Sequence, residues 1–325
     1  DFGGLGRIFI DLKKYGLRAN VNVNATKTTE IIVRLQGMFD DYVGPIDGGA
    51  TTYSKALQAS PVLFQPCYEP DEANKYVSHI LFGNSGTGSY INPYAESLRG
   101  YKQYDRSTMI AQFEAKQKFD FITKGLSARA MFNIKRYSYM EVWRGYSPFY
   151  YSLAPKVAGQ QSVYALVPLN ETTGNNYLSY SPQSRQIQNS MYMEAALQYN
   201  RKFASKHDVS ALLVYTLREE KDNSYNELLL SLPHRNLGLA GRFTYSFFDR
   251  YFAEANFGYN GSERFAKNER WGFFPSAGLG WIITNEPWMS SSSGWLSKLK
   301  IKATYGLVGN DEIGSSTDRF FYMSN

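Results

Sequence analysis

The chain has 325 residues, a formal net charge of +6 and one cysteine, Cys67. A lone cysteine excludes an internal disulfide framework and a cysteine-based zinc cluster, and no apolar run reaches the roughly 18 residues of a membrane-spanning helix. Lys and Arg are dispersed rather than gathered into a basic block, so nothing in the charge pattern supports a nucleic-acid partner.

The aromatic share is high, with 26 Tyr, 21 Phe and 5 Trp beside 27 Gly, which favours strands and turns over helices. Along the chain the dominant signal is a two-residue period. A weak run lies near 5–12. Leu17, Ala19, Val21, Val23 and Ala25 then oppose Arg18, Asn20, Asn22 and Asn24, and Ile31, Val33, Leu35 and Phe39 oppose Arg34, Gln36 and Asp40. Met109–Phe119 and Leu126–Lys135 repeat the pattern, followed by a weaker run at 160–167. It returns at 191–200, 209–218, 236–247, 251–260, 276–284 and 299–305. Side chains at i and i+2 share one face of a strand, whereas a helix needs 3.6 spacing. The reading is about ten strands, or twelve with the weaker runs.

Many of these runs are 10 to 16 residues long, against about 5–6 in ordinary globular strands and about 9–11 needed to cross a bilayer. Connections alternate. The short ones lie near Thr26 and Lys27, at 120–124, at 202–206 and at Phe248-Asp249-Arg250; the long ones are 41–103, 140–184, 222–233 and 310 onward. Short turns on one side and long loops on the other are the pattern of an outer-membrane barrel; the connection at 286–297 departs from it. Aromatic residues gather beside the short turns (Phe119, Phe121, Tyr199, Phe203, Phe247, Phe248, Tyr251 and Phe252), as in an interfacial girdle. The mean hydropathy of −0.41 fits a barrel as well as a soluble protein, because lipid-facing and lumen-facing residues alternate. A soluble two-sheet sandwich, as in an adhesion module, alternates in the same way with its apolar face as core; strand length and turn asymmetry favour the barrel.

At 235–286 the order and spacing of motifs resemble the SusC/RagA family of TonB-dependent transporters. The matching residues are Arg242, Tyr245, Asp249-Arg250-Tyr251, Gly261-Ser262, Arg264-Phe265, Arg270-Trp271-Gly272, Phe274-Pro275-Ser276, Gly280-Trp281 and Glu286. The next family strand is matched at 299–310, with Gly306, Gly309 and Asn310. Asn260 stands where the family usually has Asp, and Lys302 where it usually has Arg. The resemblance implies an all-β fold: part of a transmembrane antiparallel barrel of about 22 strands, with 1–325 as one partial barrel domain. The family's N-terminal domain, plug and last strands are missing. Residues 1–15 lack the zones of a secretory leader, and both ends are read as cuts in a longer protein. The resemblance further implies active import of glycan or peptide oligomers across a bacterial outer membrane. A SusD-like lipoprotein would sit at the extracellular face, with TonB coupled through the absent segments. A passive porin or lidless receptor is the nearest rival.

No catalytic constellation stands out. His79, His207 and His234 share no ligand spacing, and Cys67 has no nearby His. No cofactor is expected. The loop acids Asp40, Asp41, Asp47, Glu69, Asp71 and Glu72 could bind calcium, but solvated charges explain them as well. The aromatic stretch 137–151, read as a loop, supplies the candidate ligand contacts Trp143, Arg144, Tyr146 and Tyr150, because rings and guanidinium groups suit polar oligomers. The competing explanation is that these rings pack the loop's own core or face a partner protein.

Overall fold

The computed structural model describes residues 10–86, 88–158, 161–292, 294–312 and 320. Its strands are β1 (Asp11–Asn24), β2 (Thr29–Pro45), β3 (Cys67–Tyr68), β4 (Leu81–Gly83), β5 (Gly100–Lys118), β6 (Leu126–Gly145), β7 (Tyr150–Ala158), β8 (Gln161–Pro168), β9 (Ser179–Phe203), β10 (His207–Asp222), β11 (His234–Phe247), β12 (Tyr251–Ser262), β13 (Trp271–Ile282) and β14 (Lys300–Gly306). The helices are short: α1 (Gly48–Gln58), α2 (Pro93–Leu98) and α3 (Leu228–Ser231). No helix among the described residues is long and apolar enough to cross a membrane. Ten strands form one sheet in the order β1-β2-β5-β6-β9-β10-β11-β12-β13-β14, and four form a second in the order β3-β4-β7-β8.

The weak run at 160–167 is β8, but it pairs in the small sheet. Most of the run at 5–12 lies outside the described residues, and β1 takes in its end without a break. The long connections are shorter than the alternation suggested, because β2, β5, β6 and β9 continue past their apolar-polar patterned stretches. On β5 the extension carries Tyr101 and Tyr104 on opposite faces, and on β9 residues 179–190 are mostly polar on both, so the pattern fades while the strand goes on. The stretch 137–151 is therefore not a loop: its first part completes β6 and its last two residues open β7.

Chain contacts divide the molecule into two compact units. The unit of residues 16–37, 108–137 and 186–325 is antiparallel sheet. Register from β9 to β14 aligns its apolar residues in continuous rows. One row runs Phe203, His207, Phe247, Tyr251, Trp281, Ile301 and lies beside the short turns. Its rings touch in sequence, with centroids 4.8 Å apart for His207 and Phe247, 6.4 Å for Phe247 and Tyr251, and 6.3 Å for Tyr251 and Trp281. Phe252, grouped with this girdle from sequence, points to the other face, where Lys300 lies 5.1 Å from its ring. A further row, Met193, Leu217, Leu237, Gly261 and Trp271, runs at the far end of the strands.

This apolar face is bare. Leu17, Leu279 and Tyr305 are 70%, 68% and 78% exposed, whereas Glu114 on the opposite face is 7% exposed. The polar face is laced across strands. Arg34 donates to Glu114 at 3.1 Å, Arg129 pairs with Glu194, and Arg242 donates to Glu254 at 3.0 Å. A soluble sandwich buries its apolar side; here that side stands open.

Tight turns close the β-hairpins. Between β5 and β6, Gly125 takes φ +89°, and a Cβ there would lie 1.9 Å from the Asn200 carbonyl oxygen. The same glycine accepts at its carbonyl from Asn200 N–H at 2.9 Å and donates its own N–H to Asp120 at 2.8 Å. Both the dihedral and the approach require glycine.

The unit of residues 1–15, 38–107 and 138–185 contains the small sheet, whose pairing of β4 with β7 is parallel and sets Phe82 beside Tyr150. Two apolar clusters form its core. Leu81, Tyr151 and Leu166 make one, and Phe82, Ala95 and Tyr150 the other. With so little regular structure, backbone groups need other partners, and buried asparagines supply them. Asn92 Nδ2 donates to the carbonyls of Pro66 and Gly83, both at 2.8 Å. Its Oδ1 accepts from the N–H groups of Tyr94 and Ala95, both at 3.0 Å, capping α2 ahead of Pro93. Asn170 accepts from Tyr150 N–H and donates to Pro148 O, both at 2.8 Å. Asn84 accepts from Ile91 N–H at 3.1 Å.

Gly125→Ala is expected to cost about 2 kcal/mol, read as a lower urea midpoint of the detergent-refolded full-length protein. Asn92→Ala removes four hydrogen bonds in a buried site and leaves two carbonyls bare, a loss of about 2–4 kcal/mol; limited proteolysis should then cut within 47–99 while the ten-stranded sheet stays protected.

Candidate ligand-contact residues

The four ligand-contact candidates do not converge. Trp143 and Arg144 are neighbours on β6, and adjacent strand residues point to opposite faces. Arg144 lies between two tyrosines, 5.8 Å from the ring of Tyr101 and 5.7 Å from that of Tyr180, and donates to Gln103 at 3.3 Å. Tyr146 sits beyond the end of β6, its N–H bonded to Arg99 O at 2.8 Å; burial raises its phenol pKa. Tyr150 is 5% exposed, and its ring stacks on Tyr90 at 4.4 Å with planes 2° apart. Burial, with the Glu96 carboxylate beside it, pushes its phenol up to about 12. Tyr150 is a core ring and offers no free face.

Trp143 keeps different company. Its indole Nε1 donates to Glu141 at 2.6 Å, and Tyr139 donates its hydroxyl to the other oxygen of the same carboxylate. Tyr104 on β5 lies 5.5 Å from the Tyr139 ring and stacks on Tyr42 of β2 at 4.6 Å, 10° from parallel. Asp40 and Arg106, each two residues along its strand from one of these rings, form an ion pair. Tyr139 belongs to the aromatic stretch singled out in the sequence; Tyr42, Tyr104 and Glu141 are not among the sequence-derived candidates. A period-two reading through 137–143 would have put Tyr139, Glu141 and Trp143 on one face, but bringing Tyr42 and Tyr104 to them takes inter-strand register.

Loop acids hold protein groups. Asp47 pairs with Arg99 and Glu72 with Lys75. Asp71 accepts from the N–H groups of Asn74 and Leu166, both at 3.0 Å, and these hydrogen bonds, that from Leu166 foremost, hold its pKa down. Among the described residues no group of three or more His, Cys, Asp and Glu is placed to hold a metal. His79 stacks on Phe149 at 3.9 Å and bonds the Tyr151 hydroxyl at 2.8 Å; burial lowers its pKa. A cleft of about 330 Å³ lies between Lys55, Glu96, Arg99 and Tyr150. Its charges satisfy one another: Glu96, 1% exposed, accepts from Lys55 at 2.6 Å and from Arg99 at 2.9 Å.

The motif residues at the short-turn end bond one another and their neighbours. The Asp249 carbonyl accepts from Asn285 at 2.6 Å. Glu286 accepts from Trp281 Nε1 at 3.0 Å and Arg250 at 3.5 Å. The Tyr251 hydroxyl, together with Trp281 and Arg250, keeps the Glu286 carboxyl below the usual range. At the other end, Ser262 N–H bonds Arg270 O at 2.9 Å, the Ser262 hydroxyl accepts from Arg264 N–H at 3.3 Å, and Arg270 donates to Phe265 O at 3.1 Å. Trp271 stacks on Tyr259 at 4.8 Å, and a Cβ on Gly261 would lie 3.2 Å from the Trp271 ring. A Cβ on Gly309 would meet the Phe274 ring at 2.1 Å, and one on Gly306 would meet Ser276 at 2.6 Å. Pro275 stands opposite Phe257 in the β12–β13 ladder, Ser276 accepts from Asn256 at 3.3 Å, and Asn310 accepts from Glu312 N–H at 2.8 Å.

Burial alone would raise the Glu96 pKa, but Lys55 and Arg99 outweigh it and the net shift is downward. A folded-state pKa below the unfolded one stabilises above the ordinary carboxylate range and is lost as pH falls through the depressed value. Glu96→Gln should therefore flatten the acid limb of stability for the small-sheet unit. At neutral pH it should cost about 3 kcal/mol by taking from Lys55 and Arg99 the buried carboxylate they share, measured by hydrogen exchange of α2 and β7 amides.

No protein-family model matches the chain. Over 36% of its length it is 30% identical to TonB-dependent receptor P39 of Formosa agariphila, covering 13% of that protein. Over 26% of its length it is 40% identical to TonB-dependent receptor SusC of Bacteroides thetaiotaomicron, covering 8% of that one. The solved RagAB peptide transporter is similar over 94% of this chain and 34% of its own, at 17% identity and a TM-score of 0.58; the RagAB importer in its open-open state gives 0.60. The chain thus spans about a third of the solved relatives it matches. The proteins it resembles are receptors and transporters, not enzymes. Over part of its length this chain is similar in sequence to TonB-dependent receptors, SusC among them, and its fold is similar to part of the RagAB transporter's.

Proposed function

We propose that the chain forms part of the barrel of an outer-membrane, TonB-dependent importer of nutrient oligomers, with a SusD-like lipoprotein at the extracellular face. The observation that carries this reading is the bare apolar face, bounded at the short-turn end by a row of rings and at the far end by the row that closes on Trp271. On β11 the rows through Leu237 and Phe247 lie ten residues apart, about 34 Å of extended chain. A strand tilt of about 40° projects this to about 26 Å, close to the roughly 25 Å apolar band of outer-membrane barrels. Such a surface belongs in lipid, and both compact units are read as pieces of one barrel domain. The edges at β1 and β14 must then be paired by other strands, because open sheet edges are not tolerated in hydrocarbon. A folded small sheet among the long connections suits a partner surface. The RagAB and SusC likenesses favour a lipoprotein lid and TonB coupling.

The full-length protein should need detergent for extraction from outer membranes and should bring down one lipoprotein in stoichiometric amount, identified by mass spectrometry. Recovery as a solitary membrane protein would favour a porin or lidless receptor; recovery without detergent would overturn the barrel.

A further inference from the structure

From β9 to β14 the apolar face carries a single cation between its two bounding rows. By alternation Arg201 shares a face of β9 with Tyr199 and Phe203. Register sets it in a row with Val209, Tyr245, Ala253, Leu279 and Ala303. Between the Met193 row and the Phe203 row no other Lys, Arg, Asp or Glu lies on this side of these strands. Arg34, Arg129 and Arg242, on the polar face, each hold a carboxylate. Among the described residues none pairs with Arg201. Its side chain donates to the Thr123 hydroxyl at 3.4 Å, and its guanidinium carbon lies 4.7 Å from the centre of the Phe203 ring. Thr123 and Phe203 both lie toward the short turns, so the side chain leans out of the apolar band toward its edge. A cation left in hydrocarbon is costly, and this one reaches the edge without a counter-charge from the protein.

Resting on the importer reading, which puts this face in lipid, we propose that Arg201 and Thr123 hold the phosphodiester of a glycerophospholipid in the leaflet at the short-turn end. A guanidinium presents a planar fork of N–H donors that matches two phosphate oxygens, and the long bond to Thr123 leaves most of that fork unspent. The Thr123 hydroxyl accepts from Arg201 and keeps its own proton to donate to the same group. The depth fits as well. Arg201 stands two residues, about 7 Å of strand, inside the row of rings, and its long side chain spans that distance to the headgroup level where such rings sit. In the β5–β6 turn beside it, Phe121 and Ile122 are 75% and 66% exposed, and the Phe121 ring meets Phe119 edge-on at 5.8 Å. These apolar side chains give the lipid a dry flank. Charge favours an anion: Lys118, Lys124 and Arg201 outnumber Asp120, the one carboxylate of that turn, which already accepts from Gly125 N–H at 2.8 Å. Lys202, next in sequence, points to the polar face, pairs with Asp249 at 3.6 Å and takes no part.

The test uses the full-length protein, extracted in detergent with whatever partner it retains. It is titrated with dioleoylphosphatidylglycerol, dioleoylphosphatidylethanolamine, dioleoylglycerol, lipid A or inorganic phosphate, and retained ligand is read by native mass spectrometry. Both phospholipids should be retained, and dioleoylglycerol, which lacks the phosphate, should not. Arg201→Gln should weaken phospholipid retention roughly tenfold, the loss expected for a charge-assisted bidentate contact. Arg201→Lys, which keeps the charge without the fork, should lose less, and Lys202→Gln should change retention less than twofold. Heat-modifiable gel mobility confirms a folded barrel in every variant. Equal retention of dioleoylglycerol, or phospholipid retention indifferent to Arg201, would overturn the site while leaving the importer reading intact. So would binding of inorganic phosphate without lipid, or tighter binding of lipid A, which belongs to the opposite leaflet. Recovery of the protein without detergent would instead remove the importer reading itself.

Discussion

Alternation is the constraint on which the large sheet depends. In an extended strand each side chain is committed to one of two faces, and antiparallel register carries that choice from strand to strand. Leu213 on β10 faces Leu197 on one side and Gly241 on the other; Ser210 faces Asn200 and Thr244. A slip of one residue between β11 and β12 would set Arg242 against Ala255 and Phe243 against Glu254. Register is thus protected by the cost of desolvating charge on one face and of wetting hydrocarbon on the other. The tight turns act at the same level, since Gly125 and the Glu286 lock determine where each hairpin begins its count.

The same constraint explains the division of labour between the faces. Charged groups on the polar side are joined across strands: Glu254 holds both Arg242 and Asn256, at 3.0 and 2.9 Å, and Asn256 passes the chain of contacts to Ser276 at 3.3 Å. Exposed ion pairs are worth little singly, but a continuous ladder sets side-chain positions and leaves the wall polar. Against that background a cluster of rings on the polar side stands out as a different kind of surface.

Much of this was legible in the sequence. The strands at 126–135 and 209–218 announce themselves by apolar-polar alternation, and the motifs at 242–286 identify the turn-and-strand unit they build. The small sheet was not legible. β4 is three residues long, too short for any periodicity, and its parallel partner lies in another connection. The asparagines that hold this unit were overlooked, although Asn92 before Pro93 is a recognisable helix start. The four candidate contacts are dispersed for a simpler reason. A loop reading of 137–151 groups Trp143, Arg144, Tyr146 and Tyr150, but with the backbone extended at 143–144, neighbours in sequence become opposites in space. Tyr42 and Tyr104 enter only when β2 and β5 are laid side by side.

The parallel contact between β4 and β7 has a consequence for how such a protein can change. The two strands come from separate long connections, yet Phe82 lies beside Tyr150 and the N–H of Asn84 bonds the carbonyl of Tyr151 at 2.9 Å. Neither connection can be lengthened, shortened or exchanged for a relative's without disturbing the other's core. Recombination that carried one of them alone would deliver half a sheet, so these two stretches are expected to be inherited as a pair, as a single surface cassette encoded in two places.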